Sequence, residues 1–402
     1  MKTHLSAVSE SKQVLSFDNT EIAFKSKTDA DLKQAYWLFK LISSNALVKL
    51  GSPLANLALR IGLPIKGIIK KTIFHQFCGG QTIEDCEQSI NALAEYKVHT
   101  ILDYSVEGED TEADFDETCQ EILRTIERAK HDTNIPFSVF KPTGLGRTEL
   151  FEKVNNKEEL NPSEEQEFER IKQRIDRICK SCYDTNLLVL IDAEFSWTQD
   201  VFDDIAREMM QKYNRERAIV YNTYQLYRHD KLASLKADYY FAETAGFYLG
   251  AKLVRGAYME IERERAEEKG YPSPIQPDKA ASDRDFNEAI TFCLDHLDRI
   301  AFMAGTHNEE SSKFLAQEMN KRAIQHSHSS IYFAQLLGMS DHLSFNLSEA
   351  GYNVAKYMPY GPIVSVMPYL IRRAQENTSV AGQTSRELSL ITREIKRRKQ
   401  NQ

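Results

Sequence analysis

The sequence lacks the cysteine pattern that forms the disulfide framework of small secreted proteins. Its six cysteines, at positions 78, 86, 119, 179, 182 and 293, follow no disulfide-framework spacing. Cys179 and Cys182 form a C-x-x-C pair, but no second pair lies at a zinc-binding spacing. The pattern therefore predicts free thiols in a reducing compartment.

Long hydrophobic runs are also missing, and the first residues do not predict a leader sequence. No apolar run approaches the roughly 20 residues that a membrane span requires. The amino-terminal sequence MKTHLSAVSESKQV has no apolar core of the secretory type, and Glu10 is atypical of an organellar transit peptide. These absences predict a cytoplasmic protein.

Positive charge is in the minority. The 402 residues include 51 lysines and arginines and 59 aspartates and glutamates, a formal net charge of −8. This balance argues against nucleic acid as the main partner. Residues 54–74 differ, because they are apolar with interspersed Arg60, Lys66, Lys70 and Lys71. Such a segment either lies on a membrane surface or packs on the main domain with its lysines in water, and packing is the commoner case.

The order of the apolar runs predicts the fold. Residues 1–97 have helical periodicity, whereas short apolar runs alternate with amphipathic helices from residue 98 onward. Strands that alternate with helices need crossover connections and hence a parallel sheet. Eight runs favour a (β/α)8 TIM-like barrel, with strands at residues 98–104, 137–141, 187–192, 219–225, 248–255, 300–306, 331–337 and 352–357. The expected division is an amino-terminal helical segment at 1–97, a catalytic barrel at 98–385 with a loop insert at 260–285, and a solvated basic tail at 386–402.

Polar residues stand at the ends of these runs, where an apolar strand would not need them. The reactive groups of such barrels lie at the carboxyl ends of the strands. The repetition of polar residues around the ring therefore predicts a catalytic mouth. The residues are Lys141, Asp192, Glu194, Gln225, Lys252, Arg255, Tyr258, His307, Asn308 and Tyr357.

The stretch from residue 357 to residue 380 adds a helix to this mouth. Helical spacing puts Tyr369, Glu376 and the arginine pair Arg372 and Arg373 on one face. Adjacent guanidinium groups beside tyrosine rings suit a small carboxylate. The alternative is a solvated helix face with an intrahelical arginine–glutamate pair.

Several chemistries have no signature in the sequence. There is no HExxH motif, and His326-Ser-His328 has no carboxylate or cysteine at ligand spacing, so a metal site is not expected. No Ser–His or Cys–His nucleophile motif is recognisable. Gly144-Leu-Gly146 is followed by Glu149 where a dinucleotide fingerprint needs glycine. The donors at the strand ends instead favour a large polar organic cofactor.

These motifs resemble those of the proline dehydrogenases. The resemblance rests on KLVRGAY (252–258), THN (306–308), YMPYGP (357–362) and YLIRRAQENTSV (369–380), with FKPT, IDAE and TYQLY in support. It covers residues 98–380 in matching order and is nearer to the monofunctional branch of the family. It implies a distorted (β/α)8 barrel that binds FAD, with a final helix over the mouth. It further implies oxidation of L-proline to Δ1-pyrroline-5-carboxylate, a quinone acceptor, possible peripheral membrane contact, and a separate pyrroline-5-carboxylate dehydrogenase as a possible partner.

The resemblance also implies residue roles. Lys141, Arg372 and Arg373 would hold the proline carboxylate, with Asp192 in the same polar network, and Tyr258, Tyr357 and Tyr369 would surround the ring. The cofactor ligands would be Gln225, Lys252, Val254, Arg255, Gly256, Thr306, His307, Asn308 and Glu376. The bifunctional branch carries arginine at the position of Lys252 and lysine at the position of Arg255, which changes donor geometry at equal charge.

Three other functions remain open from the sequence. Hydroxyproline oxidation is the nearest, although relatives with that activity carry a small residue where Tyr357 stands. A Schiff-base aldolase-type barrel would use Lys141 as its nucleophile. A non-catalytic binding scaffold would retain neither flavin nor turnover.

Overall fold

The computed structural model describes residues 15–43, 65–106, 110–379 and 383–401, without the side chains of 375–379 and 383–385. Parallel strands close into a barrel in the order β1-β2-β3-β4-β5-β6-β7-β8. All eight predicted runs are strands of this barrel, so the predicted fold class is confirmed. They are β1 Val98–Tyr104, β2 Phe137–Phe140, β3 Leu188–Ile191, β4 Val220–Gln225, β5 Leu249–Val254, β6 Ile300–Gly305, β7 Ile331–Leu336 and β8 Val354–Tyr360.

The amino-terminal end of the barrel is filled by aromatic side chains. Phe137 of β2 packs edge-on against Tyr332 of β7 at 4.9 Å between ring centroids and against Tyr221 of β4 at 5.6 Å. Strands from different sides of the ring contribute these rings, so the rings meet inside the barrel. Because one end is packed, the open end of the barrel is the carboxyl end of the strands.

Helices surround the barrel, and further helices precede β1 and follow β8. The amino-terminal helices are α1 Thr20–Ala23, α2 Asp29–Ile42, α3 Lys66–Ile69, a π-helical turn Lys70–Phe74, α4 His75–Phe77 and α5 Ile83–Ala94. The remaining α-helices are α6 Glu112–Ala129, α7 Thr148–Asn155, α8 Pro162–Thr185, α9 Ser196–Tyr213, α10 Lys231–Ala245, α11 Met259–Lys269, α12 Lys279–Asp295, α13 Glu309–Lys321, α14 Asp341–Glu349, α15 Met367–Ser379 and α16 Gln383–Gln400. Within the described residues, no helix has the length and apolar character needed to cross a membrane.

The insert at residues 260–285 is not the continuous loop that its three prolines predict. Residues Met259–Lys269 form helix α11, although its sequence MEIERERAEEK has charges on every side and no apolar stripe. Buried Glu262 fixes the helix by accepting hydrogen bonds from the backbone N–H and hydroxyl of Ser196, at 2.7 and 2.6 Å. Polar tertiary contacts of this kind leave no periodic signal in the sequence.

A second apolar core joins the amino-terminal helices to α15 and α16. It contains Phe39 and Phe77 from the amino-terminal part, Leu370 from α15, and Leu390 and Ile391 from α16. The segment that the sequence predicts as a solvated tail is therefore a packed helix. This core fixes α15 in place over the barrel, while the predicted division of the chain at residues 97 and 385 stays a prediction.

The basic apolar segment at residues 54–74, expected either on a membrane surface or packed on the main domain, is only partly described. Residues 54–64 lie outside the described residues. The rest is helical, with Ile69 and Phe74 buried and Lys66, Lys70 and Lys71 exposed.

Candidate active site

An ion pair between two strands lies at the centre of the mouth. Lys252 projects from β5, and its Nζ lies 2.7 Å from Oδ1 of Asp192, the first residue after β3. The same ammonium group lies over the ring of Tyr357 from β8, at 4.4 Å from the centroid. Since Lys252 is only 7% exposed, the carboxylate and the ring face replace the water that its charge would otherwise hold.

The charges around Asp192 act in opposite directions on its pKa. Burial raises the pKa of this carboxyl group, and the nearby Asp103 carboxylate raises it further, whereas the cations of Lys252 and Lys141 lower it. Burial raises the pKa of Tyr357 well above its usual value, with further contributions from Asp192 and Asp103. Tyr357 is therefore a neutral phenol at physiological pH.

Glu194 ties together the ends of two strands, a role that the sequence did not reveal. Its carboxylate accepts hydrogen bonds from the N–H and the hydroxyl of Thr143, at 3.0 and 2.6 Å, in the turn that follows Lys141. Its carbonyl accepts a hydrogen bond from Nε2 of Gln225 at 2.8 Å. Glu194 thus fixes the backbone next to Lys141 and the side chain of Gln225. The only sequence signal was its place two residues after Asp192.

Arg255 organises the next part of the rim. Its guanidinium group donates to Asp283 Oδ1 at 2.6 and 2.8 Å, to the Thr306 hydroxyl at 2.9 Å and to the Ser311 hydroxyl at 2.9 Å. It also stacks on Phe286, with 4.4 Å between Cζ and the ring centroid. Burial lowers the pKa of Arg255, yet an arginine stays charged at any physiological pH.

The backbone after Arg255 needs glycine. Gly256 has φ +133°, and a Cβ atom at this position would lie 2.3 Å from the Tyr227 ring. The chain therefore passes directly over that ring, which leaves the adjacent backbone accessible at the rim. Val254, just before, is the last residue of β5, and its carbonyl accepts the N–H of Leu226 at 2.7 Å.

His307 and Asn308 follow β6. Nδ1 of His307 lies 2.9 Å from the Ser340 hydroxyl. Burial lowers the pKa of His307 to about 3, and the cations of Lys356 and Arg373 lower it in the same direction, so its imidazole is neutral at physiological pH. The side-chain oxygen of Asn308 accepts the N–H of Ser311 at 3.0 Å and so caps helix α13.

Helix α15 brings the tyrosine–arginine face to the mouth. Tyr369 and Arg373 are buried, and Cζ of Arg373 lies 5.1 Å from the centroid of the Tyr369 ring. The positive charge of Arg373 lowers the pKa of His307, which follows β6. Arg372 is half-buried, and the side chain of Glu376 lies outside the described residues.

Tyr258 occupies a different part of the rim. Its ring packs against Phe195 at 4.6 Å between centroids, and Phe195 stacks on Trp197 at 4.4 Å. The structure thus groups Asp192, Lys252 and Tyr357 in one cluster, pairs Tyr369 with Arg373 on α15, and places Tyr258 on an aromatic wall.

Comparison with known proteins identifies the family that shares these motifs. A family model described as "Proline dehydrogenase" matches residues 86–386.

The chain belongs to the proline dehydrogenase family.

Individual proteins agree with this assignment. "Proline dehydrogenase 1, mitochondrial" of Drosophila melanogaster is 40% identical over 60% of this chain and 37% of its own length. The protein of the same name from Dictyostelium discoideum is 32% identical over 94% of this chain and 74% of its own length. "Hydroxyproline dehydrogenase" of Xenopus laevis is 30% identical over 98% of this chain and 93% of its own length. This chain thus spans little more than a third of the Drosophila relative and most of the other two.

A solved structure agrees in fold. Proline utilization A from Bdellovibrio bacteriovorus, inactivated by N-propargylglycine, has a TM-score of 0.70 at 19% identity. The match covers 93% of this chain and 40% of that chain. At this identity the likeness establishes a common fold.

The rim of this proline dehydrogenase family member has features that suit a large polar cofactor. Oε1 of Gln225 is buried and has no hydrogen-bond partner among the described residues. A buried acceptor without a partner costs about 1–3 kcal/mol, and a bound donor would remove that cost. Two further features follow the end of β5. They are the fixed guanidinium group of Arg255 and the close passage of the Gly256 backbone over Tyr227. Within the described residues, no group of histidines, cysteines and carboxylates could hold a metal ion.

Proposed function

We propose that this protein oxidises L-proline to Δ1-pyrroline-5-carboxylate with bound FAD and passes the electrons to a quinone. The observation that carries the proposal is the buried pair of Arg373 and Tyr369 on α15, whose positive charge lowers the pKa of His307 after β6. The pair would add a cationic and aromatic surface to a mouth that contains Lys252, Asp192 and Tyr357. Membership of the proline dehydrogenase family supports the same conclusion.

The substrate carboxylate requires cations that stay charged. Arg373 and Arg372 supply planar donors from α15, and Lys141 supplies an ammonium group from the end of β2. Two positive groups from opposite sides can fix both the position and the direction of a small carboxylate. The neutral phenol of Tyr357 and the ring of Tyr369 would enclose the apolar part of the pyrrolidine ring.

The cofactor would be held on the rim from β4 to β6. Gln225, whose buried oxygen has no partner among the described residues, would accept a hydrogen bond from the flavin. Arg255, Gly256 and His307 would contact the polar part of FAD together with Lys252, Val254, Thr306, Asn308 and Glu376. Lys252 would act through its ammonium group, which is already committed to Asp192. When bound, FAD would accept the hydride from the ring carbon next to the nitrogen.

The protein contributes orientation more than proton transfer in this proposal. The proline nitrogen must be neutral when the hydride leaves, since its lone pair stabilises the developing double bond. A strong side-chain base is therefore not required. The acceleration would come from holding one carbon in place, and orientation of this kind can contribute several powers of ten to a rate.

Substitution of the arginines tests the substrate site. Arg373→Met and Arg372→Met are expected to raise the apparent KM for L-proline by roughly tenfold to a hundredfold, as expected for the loss of a charged hydrogen bond worth about 1.5–3 kcal/mol. FAD content should remain that of the wild type. Unchanged steady-state kinetics in both variants would remove α15 from the substrate site. Loss of a borohydride-trapped adduct on Lys141→Ala would instead favour the Schiff-base alternative.

Hydroxyproline oxidation is the second candidate, because the Xenopus laevis relative carries that name. Tyr357 supports proline as the preferred substrate. Its buried ring is held under the ammonium group of Lys252 and leaves little room for a ring hydroxyl. Comparison of kcat/KM for L-proline and 4-hydroxyproline tests this preference. Equal values would overturn it, and a variant Tyr357→Ser should shift the ratio towards hydroxyproline.

A basic and apolar surface supports contact with a membrane, where a lipid-soluble quinone would be reached. Trp37 and Leu41 are 64% and 58% exposed on one side of α2, and Ile68 of α3 is 66% exposed. Exposed Lys33 and Lys40 lie on the same side of α2. There is no aspartate or glutamate from residue 32 to residue 83, in a chain of net charge −8. Lysines with interspersed apolar side chains favour the surface of an anionic membrane.

We therefore propose a cytoplasmic protein that lies peripherally on the inner face of the membrane. Co-sedimentation with anionic liposomes tests this: wild type should pellet at low salt, and Trp37→Ser with Leu41→Ser should not. Tyr240→Ser is a matched control, since Tyr240 is an exposed aromatic residue on α10. Wild-type protein that stays in the supernatant would contradict the proposal. A separate pyrroline-5-carboxylate dehydrogenase would take the product, which a co-elution experiment with that enzyme can test.

A further inference from the structure

Two neighbouring residues of α16 reach the loops that follow β6 and β7. Arg386 donates to both carboxylate oxygens of Glu309, from Nε at 2.6 Å and from a terminal nitrogen at 3.2 Å. Glu309 is the first residue of α13 and directly follows His307 and Asn308. The carboxyl-terminal helix is therefore fixed to the β6 loop by a two-point ion pair.

The next residue, Glu387, fixes the β7 loop. Its side chain is buried and accepts the backbone N–H of Ser340 at 2.5 Å. Ser340 has φ +51°, a left-handed conformation that is unfavourable for a residue other than glycine. The hydrogen bond from Ser340 to Glu387 stabilises this conformation, and the Ser340 hydroxyl lies 2.9 Å from Nδ1 of His307.

His342 completes the connection between the two loops. Its Nε2 lies 3.0 Å from Glu309 Oε1, and its Nδ1 lies 3.9 Å from Glu387 Oε1. Arg386, Glu309 and His342 thus form a chain of polar contacts under the rim. Glu387 reaches His307 separately, through Ser340.

Helix α16 does not need these polar contacts in order to pack. Leu390 and Ile391 already bury an apolar side of the helix. Burial raises the pKa of Glu387, so its surroundings disfavour the charged form. Buried charges contribute little net stability compared with apolar residues of the same volume. A positional role for the carboxylate explains why it is there.

We propose that Arg386 and Glu387 are positioning residues that fix the orientation of His307 in the cofactor site. The contact between Nδ1 of His307 and the Ser340 hydroxyl sets the rotation of the imidazole ring and leaves Nε2 for the ligand. By holding Ser340 in place, Glu387 determines which nitrogen of His307 faces the ligand. The identity of that ligand as FAD rests on the proposed function.

The experiment follows His307 by NMR in protein labelled with ¹⁵N-histidine. The chain has ten histidines, and the His307 resonances are assigned by their loss in His307→Gln. Glu387→Leu should alter the imidazole ¹⁵N shifts of His307 and weaken FAD binding by about tenfold, the lower end of the range found when a residue supporting a ligand is lost. Glu387→Gln, whose amide oxygen can still accept the Ser340 N–H, should retain wild-type values.

Glu394 provides the matched control. It is a fully buried glutamate on the same helix, but it pairs with Arg397 and Arg398 and not with the mouth loops. Glu394→Leu should lower the melting temperature and leave the His307 resonances unchanged. If it altered them as much as Glu387→Leu, the effect would be general destabilisation and the inference would be wrong.

A second variant covers the case in which Glu387→Leu does not fold. Ser340→Gly removes the hydroxyl and at the same time relieves the left-handed backbone, so it should alter the His307 resonances without loss of stability. Unchanged resonances in Ser340→Gly, or in a folded Glu387→Leu, would overturn the inference. The resonances are measured without cofactor, so a protein that bound no flavin would contradict the proposed function and still give a result for the positioning residues.

Discussion

The variant Lys252→Met tests the buried ion pair between Lys252 and Asp192. The methionine side chain fills most of the space of the lysine stem but removes the ammonium group that lies 2.7 Å from Asp192. Removal of one partner from a buried pair typically costs about 3–5 kcal/mol, since the other charge is left without compensation. Lys141 compensates part of the charge of Asp192, so the lower end of that range is expected.

The pH dependence of this loss has a definite sign. Burial already raises the pKa of Asp192, and without Lys252 it must rise further. The folded variant then binds a proton more strongly than the unfolded chain, whose aspartate pKa is about 3.9. The destabilisation is therefore complete above the folded pKa and decreases as the pH falls through it. Lys252→Met should be closest to wild type in stability under mildly acidic conditions.

Urea unfolding of the cofactor-free protein between pH 5 and pH 8 measures the effect. The double variant Lys252→Met with Asp192→Asn should recover much of the stability, because no unpaired charge remains. Lys236→Met is the matched control, since Lys236 pairs with Glu288 at 2.6 Å on the surface and should cost less than about 1 kcal/mol. If Lys252→Met were as stable as Lys236→Met at neutral pH, or if the double variant were no more stable than Lys252→Met, the pair would not be a buried ion pair of the kind described.

Three further predictions follow from single sites. Gly256→Ala should reduce stability by about 1–3 kcal/mol, whereas Gly270→Ala, where a Cβ atom meets nothing within 4 Å, should cost less; equal melting temperatures of the two variants would contradict this. Cys86 should react with a thiol reagent only after unfolding, because burial raises its pKa to about 12; rapid labelling of the native protein would show that the site is open. The pKa of His307 is lowered to about 3, so the unfolded chain binds a proton below about pH 6.5 that the folded protein does not. His307→Gln should therefore weaken the loss of stability between pH 6.5 and pH 4.5, and an unchanged pH profile would refute the assignment.

The strands could be predicted from the sequence because their signal is local. β1 spans Val98–Tyr104, as predicted, because its apolar and β-branched residues interrupt the helical periodicity of the segments on either side. Helix α6 begins at Glu112, three residues before its first buried residue, Phe115, because Thr111 and Asp114 form a capping box. Such boundaries depend on one hydrogen bond and not on a repeating pattern.

The elements that sequence reasoning missed are held by buried polar contacts. Helix α11 depends on Glu262, and α16 has Glu387 and Glu394 in its interior, so both look solvent-exposed in a hydrophobicity pattern. The sequence alone does not distinguish a buried glutamate from one on the surface. Ser196, the partner of Glu262, and Ser340, the partner of Glu387, are many residues away in the chain.

The same reasoning applies within the site. Lys252 was predicted as a cofactor ligand, and its pairing with Asp192 connects two strands that are 60 residues apart in sequence. Glu194 was predicted to lie at the mouth but was given no role there. Strand ends indicate where functional side chains lie, whereas the contacts among them depend on the closed barrel.

The visible absorption spectrum of the purified full-length protein, recorded without oxygen before and after addition of L-proline, tests the central claim most directly. The purified protein should be yellow, and its flavin band should be bleached by L-proline and restored by a soluble quinone. A protein that is colourless after purification and after incubation with FAD, or whose flavin band does not respond to L-proline, would contradict it.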